Sequence, residues 1–101
     1  MGKKLAIYVT SDEHMGKLLK LCKAAKNKDV EVSFFLTHIG TRLTQDSRLE
    51  ELLGLAHVAL CKVGFESLEL KPPETGLAER AYASQSHHAE MILDCDQYIS
   101  F

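Results

Sequence analysis

The chain lacks several features that would define its class. Its 101 residues include no tryptophan, two prolines and three cysteines, and no apolar run approaches the ~20 residues that a membrane-spanning helix needs. The net charge of -2 leaves no basic surface for nucleic acid or for an anionic membrane, so we expect neither partner. The first residues lack a cleavable leader pattern, which predicts a cytoplasmic protein.

Cysteine spacing and absent motifs exclude several kinds of site. Cys22, Cys61 and Cys95 form no C-x-x-C pair, which excludes a zinc knuckle and a thioredoxin-type motif. Three widely separated cysteines also argue against a disulfide framework in a cytoplasmic chain. There is no G-x-G-x-x-G, no Walker loop and no G-x-S-x-G elbow, which disfavours the common nucleotide-binding and hydrolase sites.

The chain does contain an alternation of apolar strands and amphipathic helices. Residues 5–9, 30–37 and 57–61 are typical of buried strands, and 97–101 predicts a final strand. This alternation predicts one α/β domain over residues 1–101, with helices on both faces of a mostly parallel sheet of about five strands. The inward residues expected of the first helix, at helical spacing, are Met15, Leu18, Leu19, Cys22 and Ala25.

Capping residues predict where the helices start. Residues 10–13 offer capping groups and acidic side chains for the first helix. Ser47 and Glu50 match a capping box, in which the two side chains satisfy reciprocal backbone amides at the start of a second helix. Residues 67–70 then predict a short fourth strand.

A last helix is expected over about residues 84–93. His87 and His88 are adjacent on it, so their side chains diverge by roughly 100° and do not form a metal-binding pair. We predict a surface or interface role for both histidines. The apolar residues expected to face inward are Ala89, Ile92 and Leu93.

Cys61 is the most informative residue of the chain. It ends the third predicted strand, directly before a segment that opens into a helical turn. Ligands collect at the carboxyl ends of parallel strands, and the amino end of a helix favours a thiolate. Cys61 is therefore the candidate nucleophile, and the alternative is a small apolar residue that completes the strand. Cys22 and Cys95 are expected to be structural.

Further polar residues are expected at the same edge of the sheet. His14 and His38 follow the first two strands, and either could pair with a thiolate or orient a substrate. Hydroxyl groups there could donate hydrogen bonds to an anion, although helix capping explains them equally well. The candidate binding residues are Thr10, Ser11, His14, Thr37, His38, Lys62 and Gly64.

Over nearly its full length the chain resembles the DsrE/DsrF-like family of small sulfur-relay proteins. The similar segments are 4–9, 32–37, 57–61 and 92–99, and the specific feature is the cysteine that follows the third strand. The resemblance implies a three-layer α/β/α fold, homo- or hetero-oligomers that are often trimers or hexamers, and Cys61 as the sulfur carrier. It implies partner proteins that donate and accept sulfur through reactive thiols. It implies no metal or organic cofactor, because the persulfide is the cargo.

Two other functions fit the same residues. A non-catalytic oligomeric module could hold a small ligand or a partner loop in the crevice at the strand ends. A thiol-redox protein that responds to peroxide could form a sulfenic acid on the same thiolate. The three functions differ in what becomes attached to Cys61: sulfur, oxygen or nothing.

Overall fold

The computed structural model describes residues 3–71, 81–83 and 85–101, with the side chains of 85–87 outside that description. In these ranges the strands form one parallel sheet, which confirms the predicted α/β fold. The strands are β1 (Lys3–Val9), β2 (Val30–Leu36), β3 (His57–Cys61), β4 (Tyr82–Ala83) and β5 (Gln97–Ser100). The sheet order is β4-β3-β2-β1-β5.

Helices cover both faces of this sheet. In the described ranges they are α1 (Met15–Asn27), a 3₁₀ helix (His38–Gln45), α2 (Leu49–Leu55), α3 (Lys62–Ser67) and α4 (Gln85–Asp94). Of these, α1, α2 and α3 pack on one face and α4 packs on the other. None of the helices in those ranges combines the length and apolar character that crossing a bilayer requires.

The larger part of the core lies between the sheet and helices α1 to α3. Successive side chains of a strand point to opposite faces, so a continuous apolar run is buried on both. Phe34 and Leu60 are fully buried on this face, where Leu52 of α2 and Phe65 of α3 cover them. Each such side chain contributes about 1.5–3 kcal/mol of transfer free energy. The five residues predicted to face inward from α1 are all buried, which confirms that prediction.

The smaller part of the core lies under α4. Phe35 and Ala59 are buried there beside Cys61, and Met91 of α4 packs against them. His88 also turns toward the sheet, where its ring stacks on Tyr8 with the ring centroids 4.2 Å apart. The face under α4 is therefore lined by rings as well as by small apolar side chains.

The prediction for the inward side of the last helix is wrong. Ala89, Ile92 and Leu93 are exposed, with 87% of Leu93 accessible. The rings of Tyr8 and Phe35 present a flat aromatic surface, and an imidazole stacks on such a surface better than a branched aliphatic side chain. His88 is half-buried through this contact, and its predicted surface or interface role stays a prediction.

The predicted strand at 67–70 is also wrong. Residues 62–67 form α3, whose Phe65 is buried against the core, and the fourth strand is Tyr82–Ala83. Glu69 has a φ of 56°, a left-handed conformation that an extended strand does not contain. The chain therefore turns where the sequence pattern predicted that it would run straight.

Both predicted helix caps differ in the structure. His14 occupies the cap position of α1 without a side-chain hydrogen bond, and Thr10 Oγ1 instead donates to the carbonyl of Phe101 at 3.1 Å. Arg48, not Ser47, precedes α2. Asp46 accepts hydrogen bonds from the backbone N–H of Arg48 at 2.8 Å and from its guanidinium group. These bonds reach a carboxylate, and charge-assisted hydrogen bonds are stronger than those a serine hydroxyl accepts.

This arrangement predicts that Asp46, and not Ser47, stabilises the start of α2. Asp46→Ala should lower the free energy of unfolding by about 1 kcal/mol at neutral pH, measured by urea denaturation. Ser47→Ala, the matched control, should stay within about 0.5 kcal/mol of wild type. An equal loss in both variants would contradict the assignment and favour the capping box.

The same contribution should depend on pH. The Arg48 guanidinium lowers the pKa of Asp46 from its ordinary value of 3.8. A lowered pKa in the folded state adds stability above the ordinary value, and that stability is lost as the pH falls through the lowered pKa. The difference between wild type and Asp46→Ala should therefore be complete at neutral pH and shrink in acid below about pH 4.

Candidate functional site

Cys61 lies where β3 changes directly into α3. Its backbone is extended, with φ of -74° and ψ of 113°, and it occupies the residue before the helix. The first amides of a helix have no carbonyl partner within the helix, so a side chain at this position can accept from them. The N–H of Gly64 donates to Cys61 Sγ at 3.5 Å.

The thiol is less open than its strand-end position predicted. Cys61 is 9% exposed and packs with Phe35 and Ala59, with Ala83 of β4 beside it in the sheet register. The pleat of β3 turns the side chain toward the face under α4 instead of directly out of the sheet edge. The thiol therefore borders the small cluster under α4 at the carboxyl end of β3.

Thr37 is one candidate that the fold brings beside this thiol. Leu36 pairs with Leu60 in the register of β2 and β3, so Thr37 and Cys61 are the next residues on neighbouring strands. Neighbouring strands are about 4.8 Å apart. Thr37 is only 1% exposed, and its N–H donates to the carbonyl of Val9 at 2.9 Å.

The start of the 3₁₀ helix also contacts the site. A Cβ placed on Gly64 would lie 3.4 Å from the backbone nitrogen of His38 and 3.7 Å from Cys61 Cβ. His38 has a φ of 51°, so the chain reverses there immediately after β2. The exposed Lys62 follows Cys61 directly. The structure therefore groups Thr37, His38, Lys62 and Gly64 with Cys61.

The remaining candidates lie elsewhere along the edge. Thr10, Ser11 and His14 follow β1, which β2 separates from β3, so two strand spacings or roughly 10 Å lie between them and Cys61. The ring of His14 instead contacts the ring of Phe101, with centroids 5.7 Å apart. Ser11 Oγ is buried without a hydrogen-bond partner in the described structure. The structure therefore places four of the seven predicted binding residues beside Cys61 and the other three at the end of β1.

The other two cysteines occupy different environments. Cys22 is 1% exposed in the main core, and burial raises the pKa of its thiol to about 11. Cys95 lies before β5, at the amino end of the strands, and its Sγ donates to the carbonyl of Ile92 at 3.3 Å. Neither thiol faces the edge at which Cys61 lies.

Sequence patterns did not reveal the packing around the thiol. Phe35 and Met91 pack in the same cluster as Cys61. That packing can be predicted only when the strand register and the orientation of α4 are known. His88 Nε2 lies 3.2 Å from the hydroxyl of Tyr98, a contact between an imidazole and a residue ten positions away. The side chain of His87 lies outside the described residues. The adjacency of His87 and His88 in the sequence does not indicate that His88 faces the sheet.

The described residues assemble a single strand-end thiol with a backbone donor, not a metal centre. Within residues 3–71, 81–83 and 85–101, no group of three histidine, cysteine or carboxylate side chains is placed to hold a metal ion. Comparisons with protein-family models, with curated proteins and with solved structures find no match to this chain, so its resemblance to the DsrE/DsrF-like family stays a prediction.

Proposed function

We propose that this chain is a sulfur-relay protein that carries a sulfane sulfur as a persulfide on Cys61 and passes it to an acceptor thiol. The supporting observation is the hydrogen bond from the N–H of Gly64 to Cys61 Sγ at the end of β3. A thiolate accepts such a bond more strongly than a thiol does, and the thiolate is the nucleophilic form.

The proposed relay consists of two exchanges of a sulfur–sulfur bond. In the first, the Cys61 thiolate attacks the outer sulfur of a donor persulfide; the new S–S bond forms as the donor's bond breaks, and the donor leaves as a thiolate. In the second, an acceptor thiolate attacks that sulfur, and Cys61 leaves as a thiolate. Each step forms one S–S bond and breaks one, so no external oxidant or reductant is consumed.

The neighbours of Cys61 suit both steps. The N–H of Gly64 stabilises negative charge on Sγ when Cys61 attacks and again when it leaves. Lys62 places an exposed cation next to a persulfide that would carry negative charge. The added sulfur lies about 2 Å beyond Sγ.

Mass spectrometry of the folded protein tests this function. After incubation with inorganic polysulfide, we expect a mass increase of about 32 Da, one sulfur atom, on a peptide that contains Cys61. Cys22 and Cys95 are internal controls, since Cys22 is 1% exposed with a raised pKa and Cys95 lies at the opposite edge. An adduct on Cys22 or Cys95 without one on Cys61 would contradict the proposal.

A second function is favoured by the burial of Cys61. Its 9% exposure and its packing with Phe35 and Ala59 also suit a thiol that only completes the sheet of a non-catalytic binding module. In that case no cysteine gains sulfur in the same experiment. A mass increase of about 16 Da that arises only with peroxide would instead indicate the thiol-redox function.

A further inference from the structure

The strand β5 has an edge that the described structure leaves open. It is the last strand in the sheet order, and all four of its residues are exposed. Native edge strands are protected by short length, lysine, proline, inward charges or a covering element, which prevent pairing with another chain. Gln97–Ser100 is four residues long but contains neither a charged residue nor proline. This edge therefore carries no charge or proline that would oppose pairing with another strand.

Exposed apolar side chains surround the same strand. Of the six large apolar residues that are exposed in the described ranges, four lie on β5 or at the end of α4. Tyr98 pairs in register with Ala6 and Ile99 with Ile7, so these two side chains lie on opposite faces of the sheet. Exposed apolar side chains therefore flank the edge of β5 on both faces of the sheet, and clustered apolar surface marks interaction sites on soluble proteins. The four residues and their exposures are Ile92 at 42%, Leu93 at 87%, Tyr98 at 40% and Ile99 at 37%.

We propose that this edge joins two copies of the chain, with the β5 strands pairing antiparallel about a two-fold axis. Within the described ranges, the open edge of β5 lacks a neighbouring strand. A second copy supplies an uncharged strand of equal length, whose outward amides and carbonyls match those of β5. Apolar residues of the two copies then meet on both faces of the joined sheet. Tyr98 and Leu93, which is at the end of α4, lie on the side that carries α4, and Ile99 lies on the other side. The two sheets become one continuous sheet.

The charges next to β5 select the antiparallel arrangement. Asp94 and Asp96 precede the strand, and both bind Lys4: Asp94 through the ammonium group at 2.9 Å and Asp96 through the backbone N–H at 2.7 Å. Parallel pairing would place Asp96 beside the partner's equivalent carboxylate. Antiparallel pairing separates them by the length of the strand, about 13 Å at ~3.3 Å per residue, which exceeds the screening length of ~8 Å.

Sedimentation velocity on the full chain over a concentration series tests the interface. Wild type should be a dimer at tens of micromolar, and the dissociation constant should rise at least about tenfold in Ile99→Lys, which places a charge on the edge strand. Leu93→Gln should have the same direction of effect and, at 87% exposure, removes no core contact. Val63→Gln is the matched control, because Val63 is 76% exposed but lies on α3.

The outcomes separate cleanly. Circular dichroism should show that all three variants remain folded. A wild-type protein that is monomeric throughout the series overturns the proposal, and so does an assembly that Ile99→Lys and Leu93→Gln leave intact or that Val63→Gln disrupts equally. Sulfur loading of Cys61 is measured separately and lies at the other end of the sheet, so failure of either proposal leaves the other standing.

Discussion

Gly40→Ala is expected to destabilise the protein by about 3 kcal/mol or more, because the new methyl group would overlap with backbone atoms. A Cβ at this position would lie 2.3 Å from the carbonyl oxygen of Val9 and 2.9 Å from its carbonyl carbon. No rotation of a side chain relieves a contact with the backbone. The 3₁₀ helix would have to move away from the end of β1.

Two hydrogen bonds hold Gly40 in that position. The N–H of Thr37 donates to the carbonyl of Val9 at 2.9 Å, and the N–H of Gly40 donates to the carbonyl of Thr37 at 2.8 Å. A shift of the 3₁₀ helix would also displace Leu43, which is 1% exposed in the core. Loss of these contacts, together with the overlap, accounts for the size of the expected effect.

Gly54→Ala provides the control for this prediction. Gly54 is exposed on α2, and a Cβ there would meet no atom within 4 Å. Alanine favours the helix over glycine, so this variant should gain up to about 1 kcal/mol. Urea denaturation of the two variants measures both effects. Equal stabilities would mean that the 3₁₀ helix adapts to the methyl group and that its contact with β1 is loose.

The position of the 3₁₀ helix also matters for the candidate site. Its first residue is His38, and a Cβ placed on Gly64 would lie close to both the backbone nitrogen of His38 and Cys61 Cβ. The end of β1 therefore positions the 3₁₀ helix, and the 3₁₀ helix confines the first turn of α3. A stability defect in Gly40→Ala should be accompanied by altered reactivity of Cys61.

Hydrophobic periodicity correctly predicted those strands and helices of which at least one whole face is buried in the core. The runs at 5–9 and 57–61 form strands in which every residue except His57 is buried or half-buried, and the stripe of α1 faces the core. Here the sequence pattern and the packing agree, because each apolar residue has only one environment that removes it from water. The parallel arrangement follows from the alternation of strands and helices.

The errors occurred where local patterns competed with tertiary contacts. The last helix turns His88 and Met91 inward because Tyr8 and Phe35 present rings on the sheet, which no window of α4 sequence can reveal. Residues 67–70 alternate in polarity as a strand would, but the left-handed Glu69 turns the chain. Both outcomes depend on residues distant in sequence or on one backbone angle.

The candidate site shows the same division. Adjacency in the chain placed Lys62 and Gly64 beside Cys61, and the order of the strands decided that Thr37 joins them while Thr10 does not. Sheet order is a long-range property that the sequence pattern left open. The orientation of the thiol toward the face under α4 depends on the register, so its partial burial was not predictable either.

The largest functional effect should come from Cys61→Ser. Transfer of sulfur from a persulfide donor to an acceptor thiol should fall at least about a hundredfold, because a serine hydroxyl forms no persulfide. The substitution is nearly isosteric, and the hydroxyl can still accept from the N–H of Gly64, so the fold should persist. Transfer would be followed by alkylation of the acceptor. Undiminished transfer, or unfolding of the variant, would assign Cys61 to the core.

The contribution of the backbone donor can be separated from that of the thiol at Gly64. Gly64→Pro removes the N–H that donates to Cys61 Sγ, at the third residue of α3, whose N–H has no partner within the helix. Loading of Cys61 should slow at least about tenfold, because a hydrogen bond to a charged group contributes about 1.5–3 kcal/mol and about 1.4 kcal/mol corresponds to a factor of ten. Gly64→Ala keeps the N–H and adds a Cβ 3.4 Å from the nitrogen of His38, so it controls for crowding. Equal rates in the two variants would show that space, and not the donated hydrogen bond, governs the reactivity of Cys61.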